Sequence, residues 1–285
     1  MFLPQANRLQ KKLIRRTLTV RLVAKMLPGQ GRETGTMENN STRPGEVAVL
    51  DAVESETRKD HFARIASAQM RLLLEAFGMS DWDGFAESWG RLGVDRYMAD
   101  GARYRRRRYA TFSLTQDAII RKRHQPHYQS RDYNTLNGGI ERWFEPVEKK
   151  VASHPVMHAA LALTRRLAMD LTPENERPDV WHAEVHQFRI EAQENITGHP
   201  TPEGLHRDGV DWVLVVMVRR ENVTSGDTTI HDLQAHVAGS FTLSAPLDAA
   251  FVDDNHVFHG VTPIQPVDPT QPAFRDVLVV TLRHQ

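Results

Sequence analysis

The sequence contains no cysteine, which excludes disulfides, thiolate metal sites and a cysteine nucleophile. It also lacks any apolar run as long as the roughly 18 to 20 residues that a membrane-spanning helix needs. Lysine plus arginine (36) equals aspartate plus glutamate (36), so no global field attracts nucleic acid or an anionic membrane. These absences predict a cytoplasmic globular protein without nucleic-acid or membrane partners.

Acidic residues are missing from the first 27 positions, which are basic and carry leucines near a helical stripe. This composition is typical of a targeting or membrane-surface helix, but we favour an overlong start or a loosely ordered extension, with translation beginning at Met37. The polar stretch that follows is rich in Gly, Ser, Thr and Asn and predicts a flexible linker. We therefore expect residues 1–45 to be a poorly ordered extension and linker, and residues 46–285 to form a single domain.

Helical periodicity dominates the first half of that domain. Apolar residues recur at three- and four-residue intervals over residues 52–77, as an amphipathic helix requires. Further helices are predicted over residues 82–92 and 158–169. The part from about residue 46 to 178 is therefore predicted to be helical.

After Pro178 the pattern changes to seven or eight short β-rich runs separated by turn residues. This series of short runs is more typical of a sandwich or jelly roll than of alternating βαβ units. The predicted fold class is α+β, with a cupin-like jelly-roll core over about residues 179–285 and the helical N-terminal half packed against it.

One pair of polar residues in this half has metal-ligand spacing. His206 and Asp208 stand two apart, so on an extended segment their side chains project from one face. His259 follows 51 positions after Asp208, which leaves room for several strands before the chain returns. Two histidines and one carboxylate with open coordination positions are the arrangement of iron(II) oxygenases. We expect zinc or nickel to occupy the same site without turnover.

The segments that carry these residues, EGLHRDGVDW, FVDDNHVFHGVTPI and FRDVLVVTL, resemble a known family. They are similar to the bacterial 2-oxoglutarate and iron(II)-dependent amino acid hydroxylases of the L-isoleucine 4-hydroxylase type, specifically over about residues 180–283. One departure is the turn at residues 225–227, Ser-Gly-Asp, where a Gly-Gly-Glu type is expected.

The resemblance implies a double-stranded β-helix and a catalytic domain that couples decarboxylation of 2-oxoglutarate to hydroxylation of an aliphatic carbon. It implies iron(II), 2-oxoglutarate and O2 as cofactors, His206, Asp208 and His259 as metal ligands, and Arg275 as the 2-oxoglutarate anchor. The alternative for Arg275 is a surface arginine at a strand edge. Gln187 and Trp212 lie on strands beside the site, and either contact 2-oxoglutarate or substrate or pack in the core.

Four consecutive arginines, Arg105 to Arg108, form the densest charge of the domain. On an extended segment Arg105 and Arg107 share one face and Arg106 and Arg108 the other, so one pair could enter the pocket. The alternative is a solvated face. Within the resembled group, the N-substituted L-amino acid dioxygenases act on N-succinyl amino acids, whose two carboxylates need arginines. We therefore predict an N-succinyl leucine or isoleucine derivative as the small-molecule substrate, with a free L-amino acid as the alternative.

Another class of function stays open at this point. A cupin-like binding or sensor protein, or a zinc hydrolase, could use the same three ligands. A hydrolase needs a nearby general base, and Asp211 is the nearest candidate in sequence. His256, three residues before His259, is predicted to face the opposite side of its strand. The oligomeric state is left open, a homodimer included.

Overall fold

A computed structural model describes residues 44–98, 101–134 and 136–284. The predicted extension and linker therefore lie outside the described residues, except positions 44 and 45, which belong to the first helix. The described residues fall within one unit of dense internal contacts, Thr42–Gln285. None of the helices in these ranges has the length and apolar character that crossing a bilayer requires.

Helices and strands alternate in the first half of the described chain, and strands dominate the second. The α-helices are α1 (Pro44–Asp60), α2 (Ser67–Ala76), α3 (Trp82–Ala86), α4 (Lys149–Ala152) and α5 (Pro155–Leu171), with 3-10 helices at Glu87–Arg91 and Glu174–Glu176. The strands are β1 (Phe62–Ile65), β2 (Arg105–Leu114), β3 (Ile119–Arg121), β4 (Trp181–Ala192), β5 (Trp212–Glu221), β6 (Val223–Ser225), β7 (Asp227–Asp232), β8 (Val237–Thr242), β9 (Ala249–Asp253), β10 (Val257–Val261), β11 (Ile264–Pro266) and β12 (Ala273–His284).

The strands form one large and two small antiparallel sheets. Seven strands make the main sheet in the order β1-β9-β5-β12-β4-β2-β3, three make a second sheet in the order β10-β7-β8, and β11 pairs with β6. Ile230 and Val257 of the second sheet pack on Val213 and Val252 of the main sheet. The two sheets therefore face each other as in a sandwich.

The helices cover the other face of the main sheet. Leu214 and Leu278 belong to the same buried cluster as Leu161 of α5 and Leu73 of α2. Side chains alternate along a strand, so each central strand has two sets of positions. One set buries apolar side chains against the helices, and the side chains of the other set face the second sheet. This layering leaves the site between the two sheets.

The prediction of a helical N-terminal half is corrected by the main sheet, since three of its seven strands, β1, β2 and β3, come from that half. The single helix predicted over residues 52–77 is interrupted: α1 ends at Asp60, His61 adopts a positive φ of 64°, and Phe62 pairs with Val252 of β9. Four residues are too few for periodicity to distinguish strand from helix, and pairing with β9 decides the outcome.

Candidate active site

The backbone brings two of the predicted metal ligands side by side. His206, in the segment before β5, forms an isolated antiparallel bridge with His259 of β10. Its N–H donates to the carbonyl of His259 at 3.0 Å, and its carbonyl accepts from the N–H of His259 at 2.9 Å. As a result the two imidazole centroids are 4.5 Å apart.

Asp208 completes a three-residue group. Its Oδ1 lies 3.6 Å from Nε2 of His206, and its Oδ2 lies 3.5 Å from Nε2 of His259. One donor atom from each residue falls within 4.8 Å of the others, as ligands of a common ion do. Nδ1 of His206 is 3.0 Å from the carbonyl of Gly204, a contact that places the ring hydrogen on Nδ1 and leaves the Nε2 lone pair free.

The electrostatics of this group favour a cation. Burial opposes ionisation of Asp208, but the adjacent imidazoles of His206 and His259 hold the pKa of its carboxyl well below the usual range. Burial likewise disfavours protonated His259, yet Asp208 and Asp254 raise the pKa of the imidazole to about 10. A positive charge is therefore stabilised between these side chains, and two imidazoles plus a carboxylate are suitable donors for iron(II).

Asp254 orients the loop that carries Asp208. This carboxylate is 1% exposed and accepts hydrogen bonds from the backbone N–H groups of Asp208 (2.9 Å), Gly209 (2.8 Å) and Val210 (3.2 Å). It also lies 3.3 Å from Nε2 of His259. Asp254 is not predicted from the sequence, where its one signal is its place in the Asp253-Asp254 pair at the end of β9.

Another group of the described residues, His127, Glu184 and His186, also has metal-ligand proximity. However, Nη2 of Arg107 lies 2.7 Å from Nδ1 of His186, so Nδ1 accepts and Nε2 carries the ring hydrogen. Burial and Arg107 hold the pKa of His186 well below the usual range, so its ring is neutral. A protonated Nε2 cannot ligate a metal, which makes this group a poor site.

The remaining group, His61, Asp253 and His256, lies away from the predicted ligands. Nδ1 of His256 is 2.8 Å from the Asp253 carboxylate, and its ring stacks on His61 with centroids 4.5 Å apart. These three side chains line a second groove and are absent from the cavity that holds His206. His256 lies in the turn before β10 and outside the cavity, so it is not positioned by strand alternation.

A cavity of about 340 Å³ lies between the two sheets. Its polar wall includes all three predicted metal ligands, Glu203 and a set of arginines: Arg105, Arg107, Arg142, Arg275 and Arg283. Its apolar wall consists largely of valines and isoleucines from the facing sheets: Val213, Val215, Ile230, Val252, Val277 and Val279. The cavity is therefore suited to a ligand that combines carboxylates with an aliphatic group.

Arg275 of β12 faces this cavity and not the surface. It is 3% exposed, its Nε has no hydrogen-bond partner, and no carboxylate of the described ranges forms a salt bridge with it. Burial and the neighbouring Arg220 lower the pKa of its guanidinium to about 10. A buried guanidinium without a protein counterion is suited to an anionic ligand.

Strand β2 turns Arg105 and Arg107 inward. They are 6% and 4% exposed, and both contact the carboxylate of Asp95, at 2.8 and 3.5 Å. Arg106 and Arg108 point to the other side of the strand, where they pair with Glu191 (2.6 Å) and Glu145 (3.2 Å). The structure thus identifies which of the two pairs enters the cavity.

Arg142 joins this pair from a loop. It is 2% exposed, lacks a partner for its Nε, and lies with its Nη2 3.4 Å from Oε1 of Gln129. Burial lowers the pKa of its guanidinium, as does Arg105. Arg142 is not predicted from the sequence, because a single arginine in an irregular segment carries no pattern.

Two predicted contact residues are corrected. Gln187 projects to the helical face of β4, where its Nε2 donates to Oγ of Ser88 at 2.9 Å. Trp212 also lies on that side, stacked on Phe251, with Nε1 donating to Oγ1 of Thr172 at 3.2 Å. Gln187 and Trp212 occupy strand positions whose side chains point away from the cavity, so neither side chain reaches a ligand in the cavity.

Asp211, the predicted general base of a zinc hydrolase, does not line the cavity that holds the metal-ligand candidates. Its Oδ2 accepts from the backbone N–H of His284 at 2.7 Å and lies 2.8 Å from Nδ1 of that residue. Asp211 lines the second groove. The geometry therefore excludes Asp211 as the general base of a zinc hydrolase.

Comparisons with known proteins agree with this geometry. A family model described as 2OG-Fe dioxygenase matches residues 86–281. Among curated proteins, L-isoleucine-4-hydroxylase of Bacillus thuringiensis is 26% identical over 179 residues, which cover 62% of this chain and 73% of that protein.

Solved structures show the same likeness. A bsmA homolog from Methylobium petroleophilum is 36% identical, with a TM-score of 0.74 over 82% of this chain and 93% of that one. IDO from Bacillus thuringiensis is 20% identical, with a TM-score of 0.68 over 83% and 99%, and its likeness concerns the fold alone. Together these relatives imply a jelly-roll fold for the facing sheets.

Proposed function

The chain belongs to the 2OG-Fe dioxygenase family, and on that premise we propose that it hydroxylates an aliphatic carbon of an N-succinyl amino acid. The enzyme uses iron(II), 2-oxoglutarate and O2. The proposed substrate is a leucine or isoleucine derivative, in which a second carboxylate replaces the ammonium of the free amino acid. The observation that carries this proposal is the buried group of Arg105, Arg107 and Arg142 in the same cavity as the metal-ligand candidates.

His206, Asp208 and His259 would hold the metal. Bound iron(II), with 2-oxoglutarate and O2, supplies the oxidative decarboxylation that drives hydroxylation of a C–H bond. The protein contributes the donor set, and Asp254 keeps the Asp208 loop in place through three backbone hydrogen bonds. A ligand loop fixed in this way loses little entropy when the metal binds.

Arg275 would bind the distal carboxylate of 2-oxoglutarate. Arg275 of β12 and Arg105 of β2 are both register partners of Ile190 on the intervening strand β4. Their backbones are therefore two strand spacings, about 10 Å, apart. This separation supports two distinct anion-binding positions, one for the co-substrate and one for the substrate.

Within the described residues, the arginine group forms salt bridges with one carboxylate. Asp95 contacts Arg105 and Arg107, whereas Arg142 forms no salt bridge within the described ranges. Nε atoms of Arg107 and Arg142 are buried without hydrogen-bond partners. Since unpaired buried cations are costly, the group is best explained by ligand carboxylates that complete it.

The substrate preference is tested by measuring product from free leucine and isoleucine and from their N-succinyl forms with one enzyme preparation. We expect kcat/KM to be at least about tenfold higher for the succinylated forms, because each lost charge-assisted hydrogen bond costs about 1.5–3 kcal/mol. Equal turnover of the free amino acids would contradict the acyl part of the proposal and assign the enzyme to free amino acids.

A matched pair of variants sharpens this test. Arg142→Gln removes a cavity arginine that forms no salt bridge with the residues the structure describes, and it should raise KM for the succinylated substrate at least tenfold. Arg108→Gln removes an arginine on the outer side of β2, and it should leave that KM within about twofold. An unchanged KM in Arg142→Gln would remove the arginine group from the substrate site.

A further inference from the structure

Glu203 is a carboxylate of the cavity that the proposed reaction does not use. It lies three residues before His206, and its side chain is 12% exposed. Its Oε1 is 3.7 Å from Nε2 of His206, beyond hydrogen-bond distance, and its Oε2 is buried with no hydrogen-bond partner. Such an atom is rare in a folded protein, because a buried acceptor without a donor loses its hydration and gains nothing.

The described protein groups do not supply the missing donor. Nε2 of His206 is the lone-pair atom that faces Asp208 and the proposed metal. Arg142 is close enough for its charge to interact with that of Glu203, but the two form no salt bridge. The unpartnered oxygen can therefore accept a hydrogen bond from a molecule bound in the cavity.

The substrate class proposed above has one suitable donor. An amino acid carries its nitrogen next to its carboxylate, and that nitrogen keeps a hydrogen whether it is free or acylated. The cavity has a matching contrast of charge, with Arg105, Arg107 and Arg142 as cations and Glu203 as an anion near the metal ligands. A simple dicarboxylate, which has no donor hydrogen at that position, would leave Glu203 unpaired and would be disfavoured.

We propose that Glu203 accepts a hydrogen bond from the nitrogen of the substrate and thereby selects amino acid derivatives over acids that lack an N–H. This inference rests on the proposed function for the identity of the substrate class. It adds a nitrogen-binding position to the carboxylate-binding position of the arginines.

The direct test compares N-succinyl-leucine with its N-methyl analogue, which lacks the amide hydrogen, in the wild-type protein and in Glu203→Ala. In the wild type, methylation should lower kcat/KM at least about tenfold, because a charge-assisted hydrogen bond is lost. In Glu203→Ala the two compounds should differ less than about twofold, since the acceptor is already gone. An equal penalty for methylation in both proteins would overturn the proposal.

Glu203→Gln distinguishes the state of the nitrogen, because glutamine keeps an acceptor oxygen but loses the charge. If the substrate nitrogen is an amide N–H, Glu203→Gln should keep kcat/KM within about threefold of wild type. If the substrate nitrogen is an ammonium, kcat/KM of Glu203→Gln should be as low as that of Glu203→Ala. If only free amino acids are turned over and both variants lose them equally, Glu203 is still the nitrogen acceptor and the succinyl assignment fails. If Glu203→Ala turns over its substrate as well as wild type, the role of Glu203 fails and the succinyl assignment is unaffected.

A binding measurement separates this role from a role in metal binding. Calorimetric titration of the nickel-loaded protein, with 2-oxoglutarate present, should give a substrate Kd at least about tenfold weaker in Glu203→Ala. Nickel content and the Kd of 2-oxoglutarate in Glu203→Ala should match wild type. The control is Glu221→Gln, which removes an exposed carboxylate paired with Arg219, and all of its values should match wild type. Loss of nickel from Glu203→Ala would show that Glu203 belongs to the metal site and would overturn the proposal.

Discussion

The two faces of the main sheet have different roles, although the same strands supply both: the charged and imidazole side chains of the cavity lie on one face, and the other face is mainly apolar and packs on the helices. On β4 the cavity face presents Glu184, His186, Phe188 and Ile190, whereas the helical face buries Ala183 and Val185 in the apolar cluster. On β12 the same alternation places Arg275 in the cavity and Leu278 among the helices. Chemistry and stability are thus carried by neighbouring residues of one strand, and substitutions on the two faces should have separable effects.

The largest effect is expected at the metal-ligand candidates of the cavity side. His206→Ala, Asp208→Ala and His259→Ala should each reduce succinate formation to background, because an incomplete donor set cannot hold iron in a reactive geometry. Asp208→Glu should also be severely impaired. The thermal midpoint of the metal-free variants, followed by circular dichroism, should stay close to that of the metal-free wild type, since the site is open and not structural. Hydroxylation by His259→Ala at the wild-type rate would mean that another residue is the third ligand.

The opposite outcome is expected on the helical face. Leu161 of α5 is completely buried, so Leu161→Ala should lower the free energy of unfolding by roughly 2 to 5 kcal/mol through the cavity it leaves. Urea unfolding measures this loss, and kcat at a temperature where the variant is folded should remain within about twofold of wild type. Leu233→Ala, at a 46% exposed leucine, provides the control and should change stability by less than about 0.5 kcal/mol. A Leu161 variant that stayed folded but lost its activity would show that the two faces are coupled.

A more selective effect is expected for Arg275→Lys. Lysine keeps the charge but loses the two-pronged geometry, so KM for 2-oxoglutarate should rise about tenfold while KM for the amino acid substrate changes little. Arg219→Lys on the neighbouring strand β5 changes an exposed arginine that pairs with Glu221, and it should leave both constants unchanged. If 2-oxoglutarate dependence were the same in Arg275→Lys, the anchor would have to be sought among the other cavity arginines.

The smallest effect is expected at Gln187, a polar residue on the helical face. Gln187→Leu loses the hydrogen bond to Ser88 and should cost about 1 kcal/mol of unfolding free energy, with KM for 2-oxoglutarate within about twofold of wild type. A clear rise of that KM would restore Gln187 to the co-substrate site and contradict the separation of the two faces.

Much of the second half of the fold was accessible from the sequence, because its strands are β-rich runs bounded by turn residues. The run that ends the chain became β12, and the runs around His186, Val215 and Phe251 became β4, β5 and β9. The first half was harder. Strand β1 has only four residues and follows α1 after a single residue with positive φ, so its apolar positions fit a helix equally well.

The sequence by itself determined which chemistry the site can hold. The two-residue spacing of His206 and Asp208 puts both on one face of an extended segment, and four successive arginines guarantee that two of them share each face. Only the tertiary structure decided which face is inside. Pairing of Arg105 with Ile190 and of Arg107 with Phe188 ties those two arginines to the cavity face of β4, because alternation defines two faces but the register of a neighbouring strand selects one. Arg142, Glu203 and Asp254 reach the site from segments with no periodic pattern, so folding alone brings them together.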